Sequence, residues 1–320
     1  MAAILLSLAL VAAACGGDGG GEDGSSGDDR PSVVVTTSIL GDVVANLVGD
    51  QARVVTIMGP GVDPHAFSAS AQQANALRRA DLVVLNGGGF EAGLRDLVSA
   101  AANDGVPTYE AISAVSTLPL ATHGHDHEHD HGHDDGDQGS DQDAVDPHFF
   151  ADPVRMAEAA RGIATELAST VEGLDAAVLE RSTAAYVDQL RQLDAEVSST
   201  LAVVPAPSRV LVTNHEVFRY FADRYSFEVV GSVIPSGTTN EAASSAALAE
   251  LADAARAAGT RAIFVDSSSS DELARTVADE MGHVEVVPLF TESLGEPGSG
   301  GERYVDMVRT NASRIAQALG

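Results

Sequence analysis

Residues 153–203 read PVRMAEAARGIATELASTVEGLDAAVLERSTAAYVDQLRQLDAEVSSTLAV, and this stretch decides the architecture. Met156, Ile163, Leu167 and Val171, then Val187, Leu190, Leu193, Val197 and Leu201, recur near the helical period. Gly173 divides the run into two helices. The second, from about Asp175 to Leu201, is expected to be roughly 40 Å long at ~1.5 Å per residue. Pro205 and Pro207 end it. A helix of that length suits a strut between two lobes.

The flanks agree. Upstream, strands at 32–37 (SVVVTT), 53–58 (RVVTIM), 81–86 (DLVVLN) and 107–112 alternate with helices at 39–48, 70–80 and 90–102. Downstream, strands at 209–213 (RVLVT), 227–234, 261–266 (RAIFVD) and 284–290 (VEVVPLF) alternate with helices at 216–225, 244–258, 271–281 and 304–319. Such alternation implies an α/β fold with mainly parallel sheets. The expectation is two doubly wound α/β lobes joined by a long rigid helix. The N-terminal lobe would span 32–152, the helical linker 153–204 and the C-terminal lobe 205–320.

The 320 residues carry 47 acidic against 18 basic side chains, a net charge of −29. Nucleic acid is therefore excluded as a partner, because phosphate binding needs a basic surface. The single cysteine, Cys15, rules out an internal disulfide. It follows the apolar run AAILLSLALVAAA at 2–14 and precedes GGDGGGEDGSSGDDRP at 16–31. The run is too short to span a bilayer comfortably. It ends in small residues, as a cleaved signal does. Small residues directly before a cysteine read as a bacterial lipobox, with Cys15 lipidated and 16–31 a flexible tether. The chain is expected at the cell membrane, lipid-anchored on the extracytoplasmic face, or in the periplasm.

Six histidines fall at alternate positions in HGHDHEHDHGH: His123, His125, His127, His129, His131 and His133. Imidazole suits zinc, copper and nickel. The surrounding 121–144 segment is nearly without apolar residues, so it reads as an acidic loop with auxiliary metal-binding capacity.

Four histidines lie outside that loop. His65 sits in GPGVDPHAF, His148 in VDPHFFADP, His215 in VLVTNHEVF, and His283 in GHVEVV. Asp-Pro-His occurs twice, at 63–65 and 146–148. Proline stiffens each turn and keeps its preceding Asp extended. Each Asp can also accept a ring N–H and fix the tautomer. His215 and Glu292 follow the C-terminal ends of expected strands, where ligand crevices of open α/β sheets lie. His65, His148, His215 and Glu292 make a complete tetrahedral donor set for zinc. Asp266 and Glu216 are weaker candidates for the fourth position, and His283, without a motif, reads as an ordinary hydrogen-bonded group.

GPGVDPHAF, DPHFFADP, TNHEVFRYFADRY and FTESLGE, in that order, resemble the metal-binding cluster of the zinc/manganese ABC-transporter solute-binding proteins, the ZnuA/TroA-like group. The resemblance covers about 32–320. It implies two lobes bridged by a rigid helix with the metal at their interface, and His65, His148, His215 and a carboxylate at Glu292 as ligands. It also implies a partner ABC permease, no catalytic activity, and a monomer. The family's fourth ligand is commonly Asp, and Glu292 is one methylene longer. Three imidazoles with one carboxylate favour Zn2+ as the transported ligand over Mn2+, which prefers more oxygen donors. The alternatives are a manganese-transport component, or a metal buffer or adhesin without transport. A zinc enzyme is disfavoured by the lack of an HExxH motif.

Overall fold

The computed structural model describes residues 29–120, 145–234, 244–282 and 284–320. The Cys15 lipobox, its tether to residue 28, the six loop histidines and His283 lie outside them.

The first lobe comprises β1 (Ser32–Val35), α1 (Ser38–Val48), β2 (Arg53–Thr56), α2 (Ala71–Arg78), β3 (Leu82–Leu85), α3 (Arg95–Asn103) and β4 (Thr108–Glu110). After α4 (Pro153–Thr170) and α5 (Ala176–Leu201) come β5 (Val210–Thr213), α6 (Arg219–Tyr225), β6 (Glu228–Ser232), α7 (Ser245–Ala257), β7 (Ala262–Asp266), α8 (Glu272–Glu280), β8 (Glu285–Leu289) and α9 (Tyr304–Leu319). The sheets run β2-β1-β3-β4 and β6-β5-β7-β8, with every pairing parallel. In each lobe the order reverses beside its first strand, so both crevices open at the strands' C-terminal ends. Parallel strands are buried on both faces and need unbroken aliphatic runs. Leu82–Leu85 (LVVL) and Val210–Thr213 (VLVT) are buried along their whole length.

The helical stretch breaks at the expected residue. Gly173 adopts φ +86°, a left-handed turn that a side chain would strain. Asp175 then caps α5, accepting from the N–H groups of Ala177 and Val178. α5 is more than a strut. It packs on α4, on α1 of the first lobe and on α9 of the second. Leu190, Leu193, Val197 and Leu201 join one apolar core that runs from β1 to α9. The outer face of each sheet closes a smaller core of its own.

Two helices begin later than the pattern predicts. The helix expected from 90 starts at Arg95, because Gly87, Gly88 and Gly89 all take positive φ and turn the chain sharply after β3. The helix expected from 216 starts at Arg219. There the His215 carbonyl accepts from the Val217 N–H at 2.9 Å and the Thr213 hydroxyl at 2.8 Å, a turn incompatible with helix. No described helix is long and apolar enough to cross a membrane.

Candidate metal centre

Four loops at the C-terminal ends of strands, or just before α4, bring the four expected residues together. His65 follows β2, and the Asp63 carboxylate accepts its backbone N–H at 2.8 Å. His148 precedes α4, and the Asp146 carboxylate accepts its N–H at 2.9 Å in the same way. The same Asp146 oxygen lies 2.8 Å from the His148 Nδ1, which puts the proton there and leaves Nε2 facing the centre. His215 follows β5 and Glu292 follows β8.

The three Nε2 atoms converge on one atom, the Glu292 Oε1, at 2.7 Å from His65, 3.2 Å from His148 and 3.0 Å from His215. One potential donor atom from each of the four residues lies within 4.8 Å of all the others. The donors of a tetrahedral zinc, at ~2.0–2.1 Å from the ion, stand about 3.3 Å apart. The three nitrogens stand 2.7–3.2 Å from the Glu292 oxygen, close to that spacing, and a cation at the centre would draw the outer donors, up to 4.8 Å apart, inward. All four side chains are essentially buried, the most accessible at 4 %.

His215 carries the clearest mark of a ligand. Neither of its ring nitrogens has a hydrogen-bond partner among the described residues. Its Nε2 is within ion-pair distance of Glu292, yet off the direction a hydrogen bond requires. A buried polar atom left this way costs free energy, and a cation at Nε2 would remove that cost.

The electrostatics are those of a site assembled around charge. Burial opposes a charged His148, but the hydrogen bonds and charges of Asp146 and Glu292 outweigh it and raise the imidazole pKa to about 9. Burial likewise opposes the ionised Glu292. The charge of His215 and the hydrogen bonds with His148 and His65 nevertheless hold its carboxyl well below the usual range. The wall is apolar: the Phe90 ring meets His65 and His148 edge-on, with centroids 5.5 and 5.8 Å away. Phe150 meets His148 the same way at 5.8 Å.

Asp266 and Glu216 are both buried but do not join the set. The Asp266 carboxylate is taken up by the Ser268 N–H at 2.5 Å and by the Ser268 and Thr291 hydroxyls. Burial raises its pKa, and the neighbouring charge of Glu292 pushes the same way. Sequence reasoning missed Phe90 and Glu91. Glu91 accepts from the Thr36 hydroxyl and the Asn86 N–H, each at 2.6 Å, and so anchors the loop that presents Phe90. The triple glycine directly after β3 was the available signal.

Comparison with known proteins identifies the family. The family described as zinc-uptake complex component A, periplasmic, matches residues 33–318. The chain is 29 % identical over 294 residues to the zinc-binding protein TroA of Treponema pallidum, covering 90 % of this chain and 89 % of that one. It is 28 % identical over 300 residues to the manganese-binding lipoprotein MntA of Bacillus subtilis, with coverages of 90 % and 89 %. The structure of the periplasmic zinc-binding protein TroA superposes with a TM-score of 0.79 at 28 % identity, covering 91 % of this chain and 99 % of the other. A manganese-bound periplasmic protein from Candidatus Liberibacter asiaticus, at 19 % identity, shares the fold with a TM-score of 0.78. The chain belongs to the zinc-uptake complex component A family, and is thereby a metal-binding substrate-binding component of an ABC transporter and not an enzyme.

Proposed function

We propose that this protein captures Zn2+ outside the cytoplasmic membrane and delivers it to an ABC permease, with His65, His148, His215 and Glu292 as the ligands. The observation that carries this reading is the convergence of three imidazole Nε2 atoms on a single carboxylate oxygen. Three nitrogens and one oxygen suit tetrahedral zinc, whereas manganese favours oxygen donors and higher coordination. A manganese carrier is the second reading, because similar proteins include manganese-binding lipoproteins. In this proposal Cys15 carries the lipid that holds a monomer at the membrane. The histidines at 123–133 capture zinc weakly and raise its concentration near the cleft.

The test is zinc stoichiometry and affinity for the wild type beside a His65→Ala/His215→Ala double variant, with manganese as competitor. The expected result is one tight zinc site lost in the variant while weak sites remain. A tight site that survives the double substitution places the metal elsewhere and overturns the ligand assignment. Manganese binding as tight as zinc transfers the function to the second reading. Deleting 121–144 is expected to leave the tight site in place.

A further inference from the structure

His148 belongs to the first lobe, yet its support comes partly from the second. Tyr220 lies in the first turn of α6, the helix that follows His215, and is fully buried. Its hydroxyl donates to the Asp146 carbonyl at 2.7 Å and accepts from the Leu118 N–H at 3.0 Å. The Asp146 N–H in turn donates to the Leu118 carbonyl at 2.9 Å. The neighbouring Arg219 donates to the Pro119 carbonyl, and its guanidinium stands 4.0 Å from the Asp146 Oδ2. The Arg155 guanidinium, 4.8 Å above the Tyr220 ring, holds that ring in place and ties Asp152 to Asp223. The Asp-Pro-His turn of the first lobe is therefore gripped by a helix of the second.

The links from Tyr220 to the metal-facing atom are short and stiff. Tyr220 fixes the Asp146 carbonyl, and Pro147 locks the backbone that follows. Asp146 then accepts both the backbone N–H and the ring Nδ1 of His148, so the direction of Nε2 follows. The same helix follows directly on the turn that holds His215. We infer that Tyr220 is a positioning residue for His148, and that it couples separation of the lobes to loss of this ligand's orientation. Opening the cleft withdraws His215 and Glu292 and also slackens His148, so metal affinity falls by more than two ligands' worth. This inference rests on the reading of His148 as a ligand.

The experiment is competitive zinc titration of the full chain as wild type and Tyr220→Phe, each with His148 intact and with His148→Ala. The visible spectrum of the cobalt(II)-loaded forms is recorded in parallel. Tyr220→Phe keeps the ring and removes only the hydroxyl. With His148 present, it is expected to weaken zinc about 10-fold, as loss of groups behind a ligand does, and to shift the cobalt bands. In the His148→Ala background it should change neither. Wild-type affinity in Tyr220→Phe overturns the inference, and so does an equal loss in both backgrounds, which marks a merely structural hydroxyl. Wild-type affinity in His148→Ala alone removes His148 from the ligand set, and the proposed function's site fails with it. Should Tyr220→Phe not fold, Arg219→Gln, on the more exposed side of α6, is expected to give a smaller loss with the same dependence on His148.

Discussion

The two lobes share one strand order but bring different kinds of side chain to the candidate metal centre. The first presents His65 and His148 on Asp-Pro turns, each with an Asp carboxylate accepting the backbone N–H. The second presents His215, whose ring nitrogens have no hydrogen-bond partner among the described residues, and Glu292, whose charge the imidazoles hold in place. One half has its backbone turns set by neighbouring Asp carboxylates, and the other would be satisfied only when the centre is complete. Such a division suits a carrier that must bind tightly and still let go.

The largest test of this contrast is to remove one imidazole from each lobe. A tight protein zinc site holds its ion by ~10–16 kcal/mol, or about 2.5–4 kcal/mol for each of four ligands. His148→Ala and His215→Ala should therefore each weaken zinc by about 100- to 1,000-fold in a chelator competition. Their effects on the metal-free protein should differ. His148→Ala strips partners from buried Asp146 and Glu292 and is expected to cost about 3 kcal/mol or more in denaturant unfolding. His215→Ala removes a group already lacking hydrogen bonds and should cost clearly less. Equal costs would erase the distinction between the lobes.

Within the first lobe, Asp146→Asn should weaken zinc by about 10- to 100-fold, because Asp146 orients the ring as well as the backbone. Asp63→Asn, which alters an acceptor of a backbone N–H, should do less in the same titration.

The pH dependence sharpens the picture further. His148 in the metal-free protein has a pKa raised to about 9. A raised histidine pKa stabilises the fold fully below the unfolded value of about 6.5, and that stability is lost as pH climbs through about 9. Metal-free protein should thus melt at lower temperature between pH 7 and pH 10. Zinc must displace the His148 proton, so affinity should keep rising from pH 6.5 towards 9, with proton release measurable by calorimetry in buffers of different ionisation enthalpy. Affinity that levels off near pH 6.5 would contradict the Asp146–His148–Glu292 arrangement. The smallest effect belongs to the linker: Gly173→Ala places a side chain at φ +86° and should cost about 1 kcal/mol in thermal unfolding.

Much of this was legible in the chain because the signals were local. Valine-rich runs such as VLVT at 210–213 specify buried parallel strands, and a lone Gly173 marks the break between α4 and α5. The His65 and His148 half of the cluster was readable because Asp-Pro-His is a turn with its own chemistry. The rest was hidden because it depends on contacts across long sequence distances. Nothing near Tyr220 announces a bond to Asp146, 74 residues away. The late start of α6 was equally invisible, since it follows from a Thr213–His215 turn that only the crevice geometry makes worthwhile.

Pro119 and Val145 face each other in a single antiparallel bridge. The bridge holds the two flanks of residues 121–144 side by side, so the number of residues between them bears on the stability of the rest mainly through closure entropy. Doubling the number of residues between two joined points costs only about 0.6 kcal/mol in closure entropy. Changes of length between Pro119 and Val145 are therefore expected to cost little in thermal unfolding. A fluorescent reporter grafted there would sit one residue from Asp146, where it could convert metal occupancy into light.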